Sequence, residues 1–169
     1  THCISSAASD VYKRQILASG IVLGFSVTPE LFNATEAQAQ ESIEPYYNYD
    51  GYTAYQSGFI LDKNFKESLK YDNFTINGYQ IAKNTTGDNR INLYDQTLYG
   101  VSENKANGVF FSLDGKSINK NTLIQNYGQP NSYSPASAWG EEYMYKIGNK
   151  DVRFYIYNGY VNKCQIISE

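Results

Sequence analysis

The sequence predicts an α+β fold in which two short helices pack on antiparallel β-meanders. Three observations predict it. From residue 74 onward, short runs rich in Tyr, Phe, Ile and Val alternate with Asn-Gly, Asp-Gly and Gly-Asn pairs, which is hairpin chemistry. Two windows, Lys63 to Tyr71 and Ile118 to Tyr127, instead place apolar residues three and four apart, the spacing of one helix face. The order helix-then-meander occurs twice, over about 62–114 and 117–168, so two helix-plus-meander units are an alternative description.

The first element is not part of that fold. Ser5 to Gln15 reads SSAASDVYKRQ, which resembles a translated sequencing adapter, so residues 1–15 are expected to be an artefact. Ile16 to Val27 is an uncharged apolar run of twelve residues, shorter than the roughly twenty a membrane-spanning helix needs. Pro29 ends the run, and Ala37-Gln38-Ala39 supplies a small-x-small cleavage pattern. Residues 16–39 therefore read as a truncated signal peptide, and residues 40–169 as one mature domain without a membrane span. Removing Lys13, Arg14, Asp10, Glu30 and Glu36 reduces 14 basic and 17 acidic residues to 12 and 14. The expected mature chain is mildly acidic.

Within the domain, Gln40 to Tyr55 is polar and Tyr-rich and reads as an arm or first strand. Asp62 is placed to cap a helix from Lys63, with Phe65 and Leu69 on its buried face. Asp72-Asn73 stops it. Phe74–Ile76 and Tyr79–Ala82 flank Asn77-Gly78, where both residues tolerate positive φ. Ile91–Tyr94, Thr97–Val101 and Gly108–Leu113 continue the meander. The second helix ends at Gly128 and Pro130. A polar loop follows, then strands over Tyr143–Ile147, Val152–Tyr157 and Tyr160–Ile167, turning at Gly148-Asn149 and Asn158-Gly159.

Several chemistries lack their parts. Past Ala39 there is no His and one Cys, Cys164, so no internal disulfide forms there and no imidazole activates the thiol. No cofactor is implied, and no metal-ligand cluster is visible. Glu141 and Glu142 are adjacent, so on a strand they point to opposite faces and form no facing acid/base pair. Cys164 reads as a packed strand residue. Asn73-Phe74-Thr75 and Asn84-Thr85-Thr86 match glycosylation acceptors and are read as composition only. A non-enzymatic protein is expected.

Family likeness is carried by Pro45-Tyr46-Tyr47, Tyr49 and Gly51-Tyr52, then Phe59 to Phe65 (FILDKNF), Lys70 to Asn73 (KYDN), Asn77-Gly78, Tyr94 to Thr97 (YDQT) and Gly100-Val101-Ser102. In that order and spacing the chain resembles the immunodominant staphylococcal antigen B family. The resemblance implies a secreted or surface-associated protein linked to extracellular nucleic acid. The C-terminal half, through Tyr127-Gly128-x-Pro130 and a Tyr-rich hairpin, more faintly resembles β-lactamase inhibitor protein-like domains.

Extracellular DNA or RNA is therefore the first expected partner. The candidate residues are Lys63, Lys66 and Lys70 on one helix face, with Tyr46, Tyr47, Tyr49 and Tyr52 nearby in sequence, and Arg153, Tyr155 and Tyr157 on one face of a strand. Lysines neutralise phosphate and tyrosines stack bases without reading sequence. Against this, Glu67 lies beside the lysines and an acidic chain gains little from counterion release. A host or bacterial protein is the alternative partner, met by a Tyr-rich, charge-poor interface or inhibitor-like module. A glycan bound on Tyr platforms is a third reading.

Overall fold

A computed structural model describes residues 44–83 and 88–169. The readings of residues 1–15 and 16–39, of cleavage after Ala39 and of Asn84-Thr85-Thr86 lie outside the described residues. Among the described residues the architecture is α+β and dominated by its sheet: two helices and a sheet of ten mostly antiparallel strands.

Strand β1 (Tyr47–Tyr49) opens the domain. Two 3₁₀ turns follow, Thr53–Tyr55 and Ser57–Leu61. Helix α1 (Lys63–Lys70) begins where Asp62 accepts a hydrogen bond from the Asn64 amide at 2.7 Å, satisfying an otherwise orphaned donor. Phe65 and Leu69, one turn apart, are wholly buried, each contributing roughly 1.5–3 kcal/mol of apolar burial.

Strands β2 (Phe74–Ile76) and β3 (Tyr79–Ile81) turn through Asn77 and Gly78, at φ 48° and 84°. Strands β4 (Asn89–Leu93), β5 (Gln96–Ser102) and β6 (Lys105–Ser112) complete the first meander. Helix α2 (Lys120–Tyr127) is capped by Asn119, whose Oδ1 accepts from the Thr122 amide at 2.9 Å. Strands β7 (Ser132–Ser137), β8 (Gly140–Ile147), β9 (Lys150–Tyr157) and β10 (Tyr160–Ser168) form the second meander.

Two features depart from the sequence reading. The polar loop expected before Tyr143 contains β7, an edge strand that tolerates Pro135 because its outer edge needs no donor. Two short pairings are parallel, β1 with β2 and β3 with β6. Strand β6 is the junction: β5 takes one of its edges, while β3 and β10 share the other. The two meanders thereby become one sheet.

Both helices pack on a single face of that sheet. Rings of Phe59 and Phe111 meet at 5.6 Å, and those of Tyr127 and Phe154 at 4.9 Å, within a core that includes Val109, Val152, Cys164 and Ile166. Lys150 is wholly buried; its Nζ pairs with Asp72 and donates to Asn149 Oδ1 at 2.8 Å and Ser168 Oγ at 3.1 Å. That group ties the end of α1 to both final strands. Among the described residues, no helix is long and apolar enough to cross a membrane.

Candidate functional site

Helix α1 turns Lys66 and Lys70 toward α2 and the end of β8. Lys66 Nζ donates to Asn126 Oδ1 at 2.6 Å and to the Asn126 carbonyl at 3.1 Å, and lies 5.2 Å from the Tyr127 ring centre. Lys70 pairs with Glu67 at 2.9 Å, and that contact lowers the Glu67 carboxyl from its ordinary range. Lys63 is exposed one turn earlier.

Between these elements lies a cleft of about 280 Å³, lined by Lys66, Glu67, Lys70, Asn126, Tyr145 and Lys146 among others. Lys146 is the residue the sequence reading missed, since it is 76 positions beyond Lys70 and joins the helix only through the fold. Asp151 and Glu169, at 2.6 and 2.7 Å, hold its ammonium above the ordinary lysine range. Gly148 closes the floor, because a Cβ there would stand 2.9 Å from the Lys70 Cα. Three ammonium groups and the Glu67 carboxylate line the cleft, with Asp151 and Glu169 paired to Lys146 behind them.

The expected tyrosines do not gather around this cleft. Tyr46 is exposed, its hydroxyl 3.2 Å from Thr75 Oγ1. Tyr47 is half-buried against Phe59, Phe65 and Phe74. Tyr49 is buried on Phe59, with ring centres 4.3 Å apart, and donates to the Tyr52 carbonyl at 2.8 Å. Burial, then the Asp95 carboxylate, pushes its phenol up to about 12. Tyr52 is exposed and meets Tyr55 and Tyr94 instead. Tyr127 and Tyr145 are the aromatic walls of the cleft.

Arg153, Tyr155 and Tyr157 fall on the sheet face away from the helices, and that face is partly covered by side chains. Tyr155 is buried beneath Trp139 and Phe110, at 5.2 and 6.0 Å. Arg153 is committed to Asp151 at 3.3 Å and lies 3.8 Å from Glu142. Tyr157 stays exposed. Tyr49 and Tyr155 therefore leave the candidate surface: alternation along a strand assigns a face without saying whether anything covers it.

Other reactive groups are occupied. Cys164 is buried, and burial raises its thiol well above the ordinary value. Glu141 pairs with Lys120 at 2.7 Å, whereas Glu142 faces Arg153 on the opposite side. No group of three His, Cys, Asp or Glu suited to a metal ion is present among the described residues.

Fold and cleft together define a small sheet-based domain with a lysine-lined depression and a Tyr-rich surface. The chain belongs to the immunodominant staphylococcal antigen B family, whose model matches residues 46–166. It is 46% identical over 86 residues to the immunodominant staphylococcal antigen B of Staphylococcus aureus strain USA300, covering 51% of this chain and 48% of that protein. The same figures hold for strain NCTC 8325. The matched segment thus spans about half the length of these relatives. A Bacillus subtilis protein of the DUF4309 family, YjgB, overlays with a TM-score of 0.48 at 13% identity, over 68% of this chain and 99% of that one.

Proposed function

We propose that this protein is a secreted, extracellular antigen-like binding protein, not an enzyme, that holds nucleic acid weakly and without reading sequence. Phosphates enter the cleft between α1, α2 and β8. The observation that carries the reading is the convergence of Lys66, Lys70 and Lys146 on one depression, in a chain whose formal net charge is −3. Lys63 extends the cationic surface along α1. Ammonium groups position phosphate whatever the base sequence. Bound phosphate competes with Glu67 for Lys70, and with Asp151 and Glu169 for Lys146, which keeps affinity low. Family membership and the apolar run 16–27 support the extracellular location.

The test is fluorescence anisotropy on a labelled DNA duplex at low salt. Lys70→Gln with Lys146→Gln weakens binding, while Glu67→Gln strengthens it by removing the competing carboxylate. Binding absent from the wild-type chain, or indifferent to all three changes, contradicts the reading.

The alternative is a protein-binding or inhibitor-like module. It is favoured by the helix-free sheet face, where Trp139 is 43% exposed over Phe110 and Tyr155, the aromatic anchoring typical of interface centres.

A further inference from the structure

On a separate surface, Tyr52, Tyr55 and Tyr94 are exposed to 46%, 82% and 55%. Their rings touch: Tyr52 and Tyr55 are 5.1 Å apart and tilted by 37°, and Tyr94 stands edge-on to Tyr52 at 4.9 Å. The backbone beneath is braced. Asp95 accepts from the Thr53 amide at 2.9 Å, the Ala54 amide at 2.8 Å and the Gln96 side chain at 2.5 Å. Thr53, wholly buried, donates through Oγ1 to the Ser112 carbonyl at 2.7 Å. One carboxylate therefore locks the turn bearing two rings onto the hairpin bearing the third.

Tyr94 is held against its backbone preference. It occupies the first of the two turn positions between Leu93 and Gln96, with φ 55°. Glycine is the residue that this position favours, and a bulky side chain there stores strain. Of the five non-glycine residues with positive φ among the described residues, Tyr94 is the aromatic one. Core packing does not repay the strain, since more than half of the residue is exposed.

We propose that Tyr52, Tyr55 and Tyr94 form a platform for a neutral oligosaccharide chain. None of the described cation–ring contacts involves these three rings, so no cation stacked on the platform favours an anionic ligand. A quaternary ammonium needs rings spaced around it, whereas these rings close on each other at about 5 Å. A pyranose presents a flat C–H face and a hydroxyl rim, matching the flat apolar face and polar tip of tyrosine. Exposed Asp50, which accepts from Asn48 Nδ2 at 2.7 Å, and exposed Gln56 flank the rings in sequence. Because the platform is braced before binding, little ordering cost is incurred.

The test titrates the ¹⁵N-labelled chain with three neutral tetrasaccharides, β-1,4-linked N-acetylglucosamine, β-1,4-linked glucose and α-1,4-linked glucose. At least one produces saturable shifts at the Ala54 and Asp95 amides. Tyr94→Gly weakens that binding by about tenfold, the worth of one stacking ring, while the unfolding temperature stays level or rises because the turn gains its favoured residue. The proposal is overturned if no tetrasaccharide saturates at millimolar concentration, or if Tyr94→Gly binds as well as wild type. A lower melting temperature in that variant also overturns it, since the ring would then serve packing. So does a polyproline peptide shifting the same amides where the sugars do not.

Discussion

Buried phenols tie individual residues to the stability of the whole chain. Tyr49 and Tyr145 have phenol pKa values pushed up to about 12, and burial is the leading cause for both. Tyr127 is raised well above the ordinary value, again chiefly by burial. An unfolded tyrosine ionises near pH 10, so between pH 10 and about 12 the unfolded chain sheds protons that the folded chain keeps. Their contribution is fully present below pH 10 and is lost as pH rises through the folded value. The unfolding temperature is expected to be flat with respect to these groups up to about pH 10 and to fall steeply above it. Tyr145→Phe, which removes the hydroxyl donating to the Gly128 carbonyl at 3.1 Å, makes the fall shallower. A melting temperature unchanged between these pH values would show that the phenols titrate freely.

Elements differ in how far their causes can be read along the chain. The start of α1 is local: Asp62 caps it and Phe65 and Leu69 anchor it, all within eight residues. Turns at Asn77-Gly78 and Asn158-Gly159 are equally local, with positive φ at all four residues. Strand β7 is not, because Ser132–Ser137 has no apolar alternation and is held by pairing with β8. The sequence marks a break near Asp95, but the Tyr94-Asp95 turn contains no glycine, so its composition does not announce how tight the hairpin is. Gly140 shows the same limit. A Cβ there would lie 2.2 Å from the Ile156 carbonyl oxygen, and its φ is 110°, yet its role depends on β9, sixteen residues away. Gly140→Ala is expected to cost roughly 2–4 kcal/mol through strain and backbone collision. Asp62→Ala should cost about 1 kcal/mol through a lost cap. Denaturant midpoints at unchanged m-value compare them; equal losses would mean that β8 and β9 separate freely at that point.

At the scale of the whole molecule, function depends on which residues the sheet brings together. The helix bearing Lys63, Lys66 and Lys70 was legible from spacing alone. Lys146, which completes the cleft, was not, because only the packing of α1 against the β8–β9 turn brings it there. Tyr52 was legible as an exposed aromatic, but its grouping with Tyr94 required the β4–β5 hairpin to fold onto the first 3₁₀ turn. The net charge of −3 describes the chain as a whole and hides the gathering of three lysines along one depression, two of them held by carboxylates that a phosphate would have to displace. Phosphate binding by that lysine cluster is the central claim, and the salt dependence of duplex DNA affinity measures it most directly. If Lys66, Lys70 and Lys146 each neutralise one phosphate, log K against log salt falls with a slope of about −2.7, and Lys146→Gln makes it shallower by about 0.9. A slope near zero, or one that Lys146→Gln leaves unchanged, would contradict phosphate binding in the cleft.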